Sequence, residues 1–212
     1  MKIEIWSDVV CPWCYIGKRR LEHALLDFEH AGEVEITWRS YQLNPGAGPR
    51  AVPTLDSLEK RFGPQSKAMV GRIADLAAAE GLAFDYGSAL SVNTLDAHRV
   101  LHLAADLGLG GAAKERLLRA HFAEGADLSD REKLAGLLSE VGVPAERVHA
   151  TLAGDEYADA VRADIEEAHA LGVSGVPFFV LDRRYGISGA QPAELFLGAL
   201  RQAYAERDQA QA

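Results

Sequence analysis

The chain has 212 residues, a formal net charge of −9, 48% apolar and 25% charged residues, and only two cysteines. That balance suits a soluble globular protein with a real core, and its acidity argues against nucleic acid or an anionic membrane as partner. Two cysteines exclude a disulfide-stapled secreted scaffold, and the absence of a leader-like run or of ~20 consecutive apolar residues makes a cytoplasmic setting the expectation.

Residues 2–6, KIEIW, are rich in β-formers and alternate, which predicts a first strand. A helix is predicted from Pro12 to His30, closed by Gly32, with Cys14, Gly17, Leu21, Ala24, Leu25 and Phe28 on one stripe. Residues 33–43, EVEITWRSYQL, predict a second strand ended by the breaker run NPGAGPR.

From about Thr54 to Leu171 only helix signals are found, punctuated by stops at Gly81, Gly108, Gly125, Gly142 and Gly172. A capping box is read at Ser129-x-x-Glu132, and Pro144 opens the helix after it. The stops share no sequence period, so a solenoid is excluded.

Strand signals return in residues 175–189, GVPFFVLDRRYGISG, as two short strands around a turn at Asp182 to Arg184. Residues 191–208 predict a last helix with Pro192 near its start, and the tail 209–212 is expected to fray. The order is βαβ, a helical block, then ββα. It predicts an α/β fold of residues 1–50 and 172–212, interrupted by an all-helical insertion domain, 51–171, which includes the helix leading back to the sheet.

Both cysteines lie in one short stretch, SDVVCPWCYIGKRRL. Pro12 suits the first helical position, which leaves Cys11 at the positive end of the helix dipole among free backbone N–H groups. That placement predicts an exposed Cys11 thiol with a pKa below its free value of about 8.5. Cys14 falls on the buried stripe and is expected to be shielded and more thiol-like. An exposed nucleophile beside a shielded partner is the arrangement of a dithiol that forms a mixed disulfide and then resolves it.

Zinc is the main rival for a C-x-x-C pair. His98 and His102, spaced i, i+4, could complete a four-ligand set, but they stand far outside the usual spacing, and the plain alternative is a helix surface or a packed helix pair. No metal is expected. Glu4, on a strand that should be central, and Asp8, three residues before Cys11, are candidate acceptors for the proton of Cys14. For each, a solvent-facing carboxylate at the sheet end is the competing reading. Lys18 lies two turns down the helix, too far to act on Cys11. Trp13 offers apolar surface to a substrate and cannot donate a charge-assisted hydrogen bond to the Cys11 sulfur as a histidine could, which predicts a less acidic Cys11 than a CPHC motif would have.

CPWC at a helix start after a first strand, with GVSGVPFFV far downstream, resembles the thioredoxin superfamily, and the helical insertion is similar to its DsbA-like branch. The segments IWSDVVCPWCYIGKRRL, YQLNP, NTLDAHRV and GVSGVPFFVLDRRYGISGAQP resemble FrnE-type DsbA-family oxidoreductases along nearly the whole chain. The same branch includes 2-hydroxychromene-2-carboxylate isomerases and kappa-class glutathione transferases, which typically carry serine where this chain has Cys11.

The resemblance implies a thioredoxin fold and thiol–disulfide exchange or isomerisation on protein disulfides through Cys11 and Cys14. It implies a cis Val176–Pro177 bond facing the cysteines, with Pro12, Trp13, Val176 and Pro177 holding the substrate by strand-like pairing. No cofactor beyond the Cys11–Cys14 redox couple is expected, and glutathione joins protein thiols as a candidate partner. A glutathione-dependent isomerase or transferase, and a thioredoxin-like chaperone without turnover, are the alternative readings.

Overall fold

Alternation along the first strand sorts its side chains onto two faces. In β1 (Lys2–Ser7), Ile3 and Ile5 pack to one side, while Glu4 and Trp6 face the other, and all four are buried. This computed structural model describes residues 1–211, with side chains described for residues 1–207. The fraying expected of 209–212 therefore falls on side chains, and at residue 212 on backbone, outside the described residues.

β1 lies inside a four-stranded sheet of order β2-β1-β5-β6, formed with β2 (Glu35–Ser40), β5 (Phe178–Leu181) and β6 (Tyr185–Ser188). β1 and β2 are parallel, with Ile5 opposite Trp38. β1–β5 and β5–β6 are antiparallel, with Ile5 opposite Phe179 and Phe179 opposite Ile187. The β5–β6 turn places Asp182 and Arg183 in left-handed backbone, with φ of 45° and 58°, which matches the twist of a tight hairpin.

α1 (Pro12–Leu26) and α9 (Ala193–Gln211) cover the Ile3 face. Leu21, Ala24 and Phe28 meet Phe196, Leu200 and Ala203 over Ile5, Phe179 and Leu181. α1 ends four residues before the predicted His30; Asp27 is its C-cap, and a short 3₁₀ turn at Ala31–Glu33 follows in place of a glycine stop. On the opposite face α8 (Ala158–Ala170) packs Ala168 against Trp6 and Val180, and the Trp6 indole N–H donates to the Asp164 carbonyl at 2.8 Å.

Between β2 and β5 the chain forms α2 (Thr54–Phe62), α3 (Ser66–Ala79), α4 (Leu95–Asp106), α5 (Gly110–Glu124), α6 (Arg131–Ser139), α7 (Ala145–Ala153) and α8. Helices α4 to α7 share a core that includes Val100, Leu103, Leu117, Leu134 and Val148, whereas α3 sets Ile73 and Ala77 against Tyr15 and Ile16 of α1 and Leu118 and Phe122 of α5. Two departures from the sequence reading stand out here. β3 (Val52–Pro53) and β4 (Leu90–Ser91) form a two-residue antiparallel bridge inside a block read as helix throughout; strands this short leave no periodic signal. At the start of α6 the N-cap is Asp130, whose carboxylate accepts from the N–H groups of Glu132 and Lys133, so the cap lies one residue beyond Ser129 and, with Lys133 at the third helical position, it is not a capping box. Ser129 instead bonds Asp127.

The glycine stops hold. Gly125 takes φ 61° just past α5, where an added Cβ would also fall 2.6 Å from Ser88. Among the described residues no helix is long and apolar enough to cross a membrane.

Candidate active site

Cys11 is the N-cap of α1, with extended backbone (φ −91°, ψ 114°), and Pro12 occupies the first turn as its missing N–H and fixed φ allow. Cys14 follows one turn in, its N–H donating to the Cys11 carbonyl at 3.1 Å. Both thiols are free.

The Val176–Pro177 peptide is cis, and it brings the Val176 carbonyl to 3.4 Å from the Cys11 sulfur, which donates to it. The close approach of this turn to α1 depends on Gly17. A Cβ there would lie 3.0 Å from Pro177 Cγ and 3.3 Å from Phe179 Cζ. Trp13 stands at the mouth, 38% exposed, and Pro12 and Val176 are partly buried beside it.

The exposure expected for Cys11 is not found. Cys11 is 3% exposed and Cys14 1%, because the Val176–Pro177 turn covers the helix mouth. The electrostatics are corrected with it. The neighbouring Cys14 sulfur, burial and the charge of Asp8 push the Cys11 thiol well above its ordinary value. Burial opposes ionisation of Cys14 too, yet the adjacent Cys11 thiol, the Lys114 ammonium and the Asp8 backbone N–H bring it below the ordinary value. The helix dipole therefore does not act on Cys11 alone. The two thiols titrate as a pair, so the first proton lost belongs to both.

Lys114, absent from the sequence reading, supplies the positive charge. It is 1% exposed, its Nζ donates to the Ser7 carbonyl at 3.3 Å, and it stands 5.6 Å from the centre of the Trp38 ring. Burial lowers its pKa, against the pull of Cys14, Asp8 and Cys11. Its signal lay in the helical spacing Lys114, Leu117, Leu118, His121: a lysine on the buried stripe of α5.

Asp8 and Glu4 part company. Asp8 is fully buried, accepts from the Leu43 N–H at 2.8 Å, and lies 3.2 Å from His98 Nε2. Burial alone would raise its pKa, but His98, the Leu43 N–H and Lys114 lower it. Glu4 is equally buried, yet its partners are Arg39 Nε at 3.0 Å and Arg183 Nη2 at 2.7 Å rather than either thiol. As a proton acceptor for Cys14, Glu4 is thus displaced by a structural ion pair, and the solvent-facing reading fails for both carboxylates.

The histidine pair also separates. His98 bonds Asp8, whereas His102 Nε2 sits 3.1 Å from both Ser40 Oγ and Asp164 Oδ2. Each histidine is spent on a buried carboxylate, so neither is the plain surface residue that the spacing allowed. Lys18 is held by Glu22 at 2.5 Å and by Glu115, away from the sulfurs.

A family model for the DSBA-like thioredoxin domain matches residues 2–201. A probable DsbA oxidoreductase from Streptomyces coelicolor is 46% identical, with 97% of this chain and 91% of that one covered and a TM-score of 0.93. The cytosolic disulfide reductase DsbM from Pseudomonas aeruginosa, solved with GSH, is 22% identical over 99% of this chain and 98% of its own, at a TM-score of 0.64. A 2-hydroxychromene-2-carboxylate isomerase is 14% identical over 100% and 98%, at 0.69. The last two likenesses are of fold.

Proposed function

The chain belongs to the family of DSBA-like thioredoxin domains, and on that premise we propose that it is a thiol–disulfide oxidoreductase working through Cys11 and Cys14. The observation that carries this reading is the buried thiol pair at the start of α1, one turn apart, with the Cys11 sulfur held against the Val176 carbonyl and the Lys114 ammonium favouring a thiolate on the pair.

Loss of the Cys11 proton to solvent places the thiolate on the outer sulfur, nearest the mouth. Cys11 attacks one sulfur of a substrate disulfide and forms a mixed disulfide; the other half leaves as a thiolate. Cys14 gives up its proton to the departed thiolate and attacks the Cys11 sulfur, so that the mixed disulfide breaks and the second half leaves as a thiolate that takes a proton from solvent. The balance is one substrate disulfide reduced to two thiols and one Cys11–Cys14 disulfide formed. In reverse the same steps oxidise a dithiol, and a substrate with several cysteines can be isomerised.

Val176 and Pro177 frame the sulfur from the β5 side, and Trp13 and Pro12 from the helix side, where the Val176 backbone can pair with an extended peptide. Asp8, held by His98, contributes a fixed negative charge that discourages a lasting thiolate on Cys11. The reaction needs no cofactor beyond the two sulfurs, and protein disulfides or glutathione serve as exchange partners.

Equilibration in glutathione redox buffers with thiol trapping tests this reading. The wild type is expected to interconvert between dithiol and Cys11–Cys14 disulfide, Cys14→Ser to accumulate a mixed disulfide at Cys11, and Cys11→Ser to do neither. A wild type that never forms the intramolecular disulfide overturns the redox reading in favour of a glutathione-dependent isomerase or transferase.

A further inference from the structure

A cavity of about 470 Å³ opens beside Val10, the residue before Cys11, between the loop after β2, helix α2 and His121 of α5. Its size is that of a small-ligand pocket. Its lining contradicts the character of the whole chain. In a protein with net charge −9, the walls carry two arginines, Arg50 and Arg61, and no aspartate or glutamate. Neither arginine forms an ion pair among the described residues; Arg61 only stacks against Phe62, its guanidinium 5.1 Å from the ring centre. Elsewhere the arginines of this chain are widely engaged, as Arg39, Arg99 and Arg116 are.

Orphaned polar atoms gather in the same place. Among the described residues five buried side-chain atoms lack a hydrogen-bond partner, and two of them, Thr54 Oγ1 and His121 Nδ1, belong to residues that line this cavity. His121 is 2% exposed, and burial brings its pKa down to about 4, so at neutral pH it presents an uncharged ring nitrogen with nothing to bond. Buried polar atoms are ordinarily paired, and a cluster of unpaired ones beside free guanidinium groups is what a polar ligand would complete.

We propose that this cavity is a carboxylate-recognition subsite, in which Arg50 and Arg61 select exchange partners that carry a carboxylate near the disulfide attacked by Cys11. Thr54 and His121 hydrogen-bond the amide or carboxyl groups of the same ligand. Guanidinium groups suit this task because their planar forks meet carboxylates in two parallel hydrogen bonds. The inference rests on the redox reading above and leaves its chemistry unchanged: the bound disulfide is reduced by two electrons as the Cys11–Cys14 disulfide forms. The carboxylate can come from a small carboxylated thiol or from an acidic segment of a polypeptide.

The test follows oxidation of the reduced protein by its tryptophan fluorescence at low salt, with two pairs of disulfides. Glutathione disulfide is compared with the uncharged hydroxyethyl disulfide, and a short disulfide-linked peptide with glutamates flanking its cysteine is compared with its glutamine counterpart. The charged member of at least one pair is expected to react about tenfold faster than its neutral partner. In Arg50→Gln/Arg61→Gln, both sites being exposed and outside the ion pairs among the described residues, that rate ratio should fall towards that of the unassisted thiol reaction. Loss of the preference in the glutathione pair alone assigns the subsite to a small thiol; loss in the peptide pair alone assigns it to a polypeptide. Ratios unchanged by the double substitution overturn the subsite while leaving the redox reading intact. A wild-type dithiol that reacts with none of the four overturns both.

Discussion

Lys114 shows how a single buried charge can govern a pair of thiols. It sits on α5, a hundred residues from Cys14 in sequence, yet the Cys14 thiolate and the Lys114 ammonium each favour the charged form of the other. Removing the ammonium takes away an attraction that operates in a low-dielectric surrounding, where it is strongest. In Lys114→Met the thiolate absorbance at 240 nm is therefore expected to appear at higher pH than in the wild type. Disulfide exchange at pH 7 should slow by about tenfold as the thiolate fraction drops. The fold should survive, since methionine replaces a buried ammonium with an apolar chain of similar reach. An unchanged absorbance profile would remove Lys114 from the site. The lysine was readable as an oddity on an apolar stripe, but nothing in its local sequence says that its charge ends beside Cys14.

At the scale of elements, α1 and the turn before β5 form one device. Glycine at position 17 lets Pro177 rest against the helix, and Pro177 in turn holds Val176 over the Cys11 sulfur. Gly17→Ala puts a methyl group at 3.0 Å from Pro177 Cγ with backbone of Ala190 only 3.4 Å away, so the turn has to move outward. Overpacking of this kind costs about 1–3 kcal/mol. The expected outcome is a lower urea midpoint together with faster alkylation of Cys11, because the cover over the sulfur is displaced. A variant with wild-type stability and alkylation would show that the contact is slack. Gly17 was legible as a member of the helix stripe; that a proline 160 residues later needs its missing Cβ was not, because the requirement arises between elements.

Across the whole molecule, carboxylates and histidines tie the sheet to the helical block. Asp8 joins the loop after β1 to Leu43 and to His98 of α4, and Asp164 of α8 joins Arg39, Ser40 and His102. His121 adds a pH dependence to this assembly. Its folded pKa, near 4, lies below the unfolded value of about 6.5. The unfolded chain thus binds a proton more readily, so this residue's contribution is present above pH 6.5 and is lost as pH falls towards 4. Between pH 7 and 4.5 the loss attributable to His121 is about 2.5 kcal/mol. Urea denaturation at the two pH values should give a decline smaller by that order in His121→Gln than in the wild type. Equal declines in both proteins would mean that the imidazole does not stay neutral in the fold.

What the sequence determined by itself is local or pairwise along the chain: the strand and helix order, the glycine stops, the cysteine pair at a helix mouth opened by proline, and, through resemblance, the cis bond before Pro177. Those features follow from spacing and backbone preference, which neighbouring residues carry between them. Where an alternative cap lay one residue away, at Asp130, or a strand was two residues long, at Val52 and Leu90, the local signal was too weak to decide. Only the tertiary structure decided the electrostatics: that Cys11 is covered, that Lys114 favours a thiolate on Cys14, that Glu4 belongs to two arginines and Asp8 to a histidine. A charge acts through space and through the dielectric around it, and both are set by packing between segments that are remote in the chain.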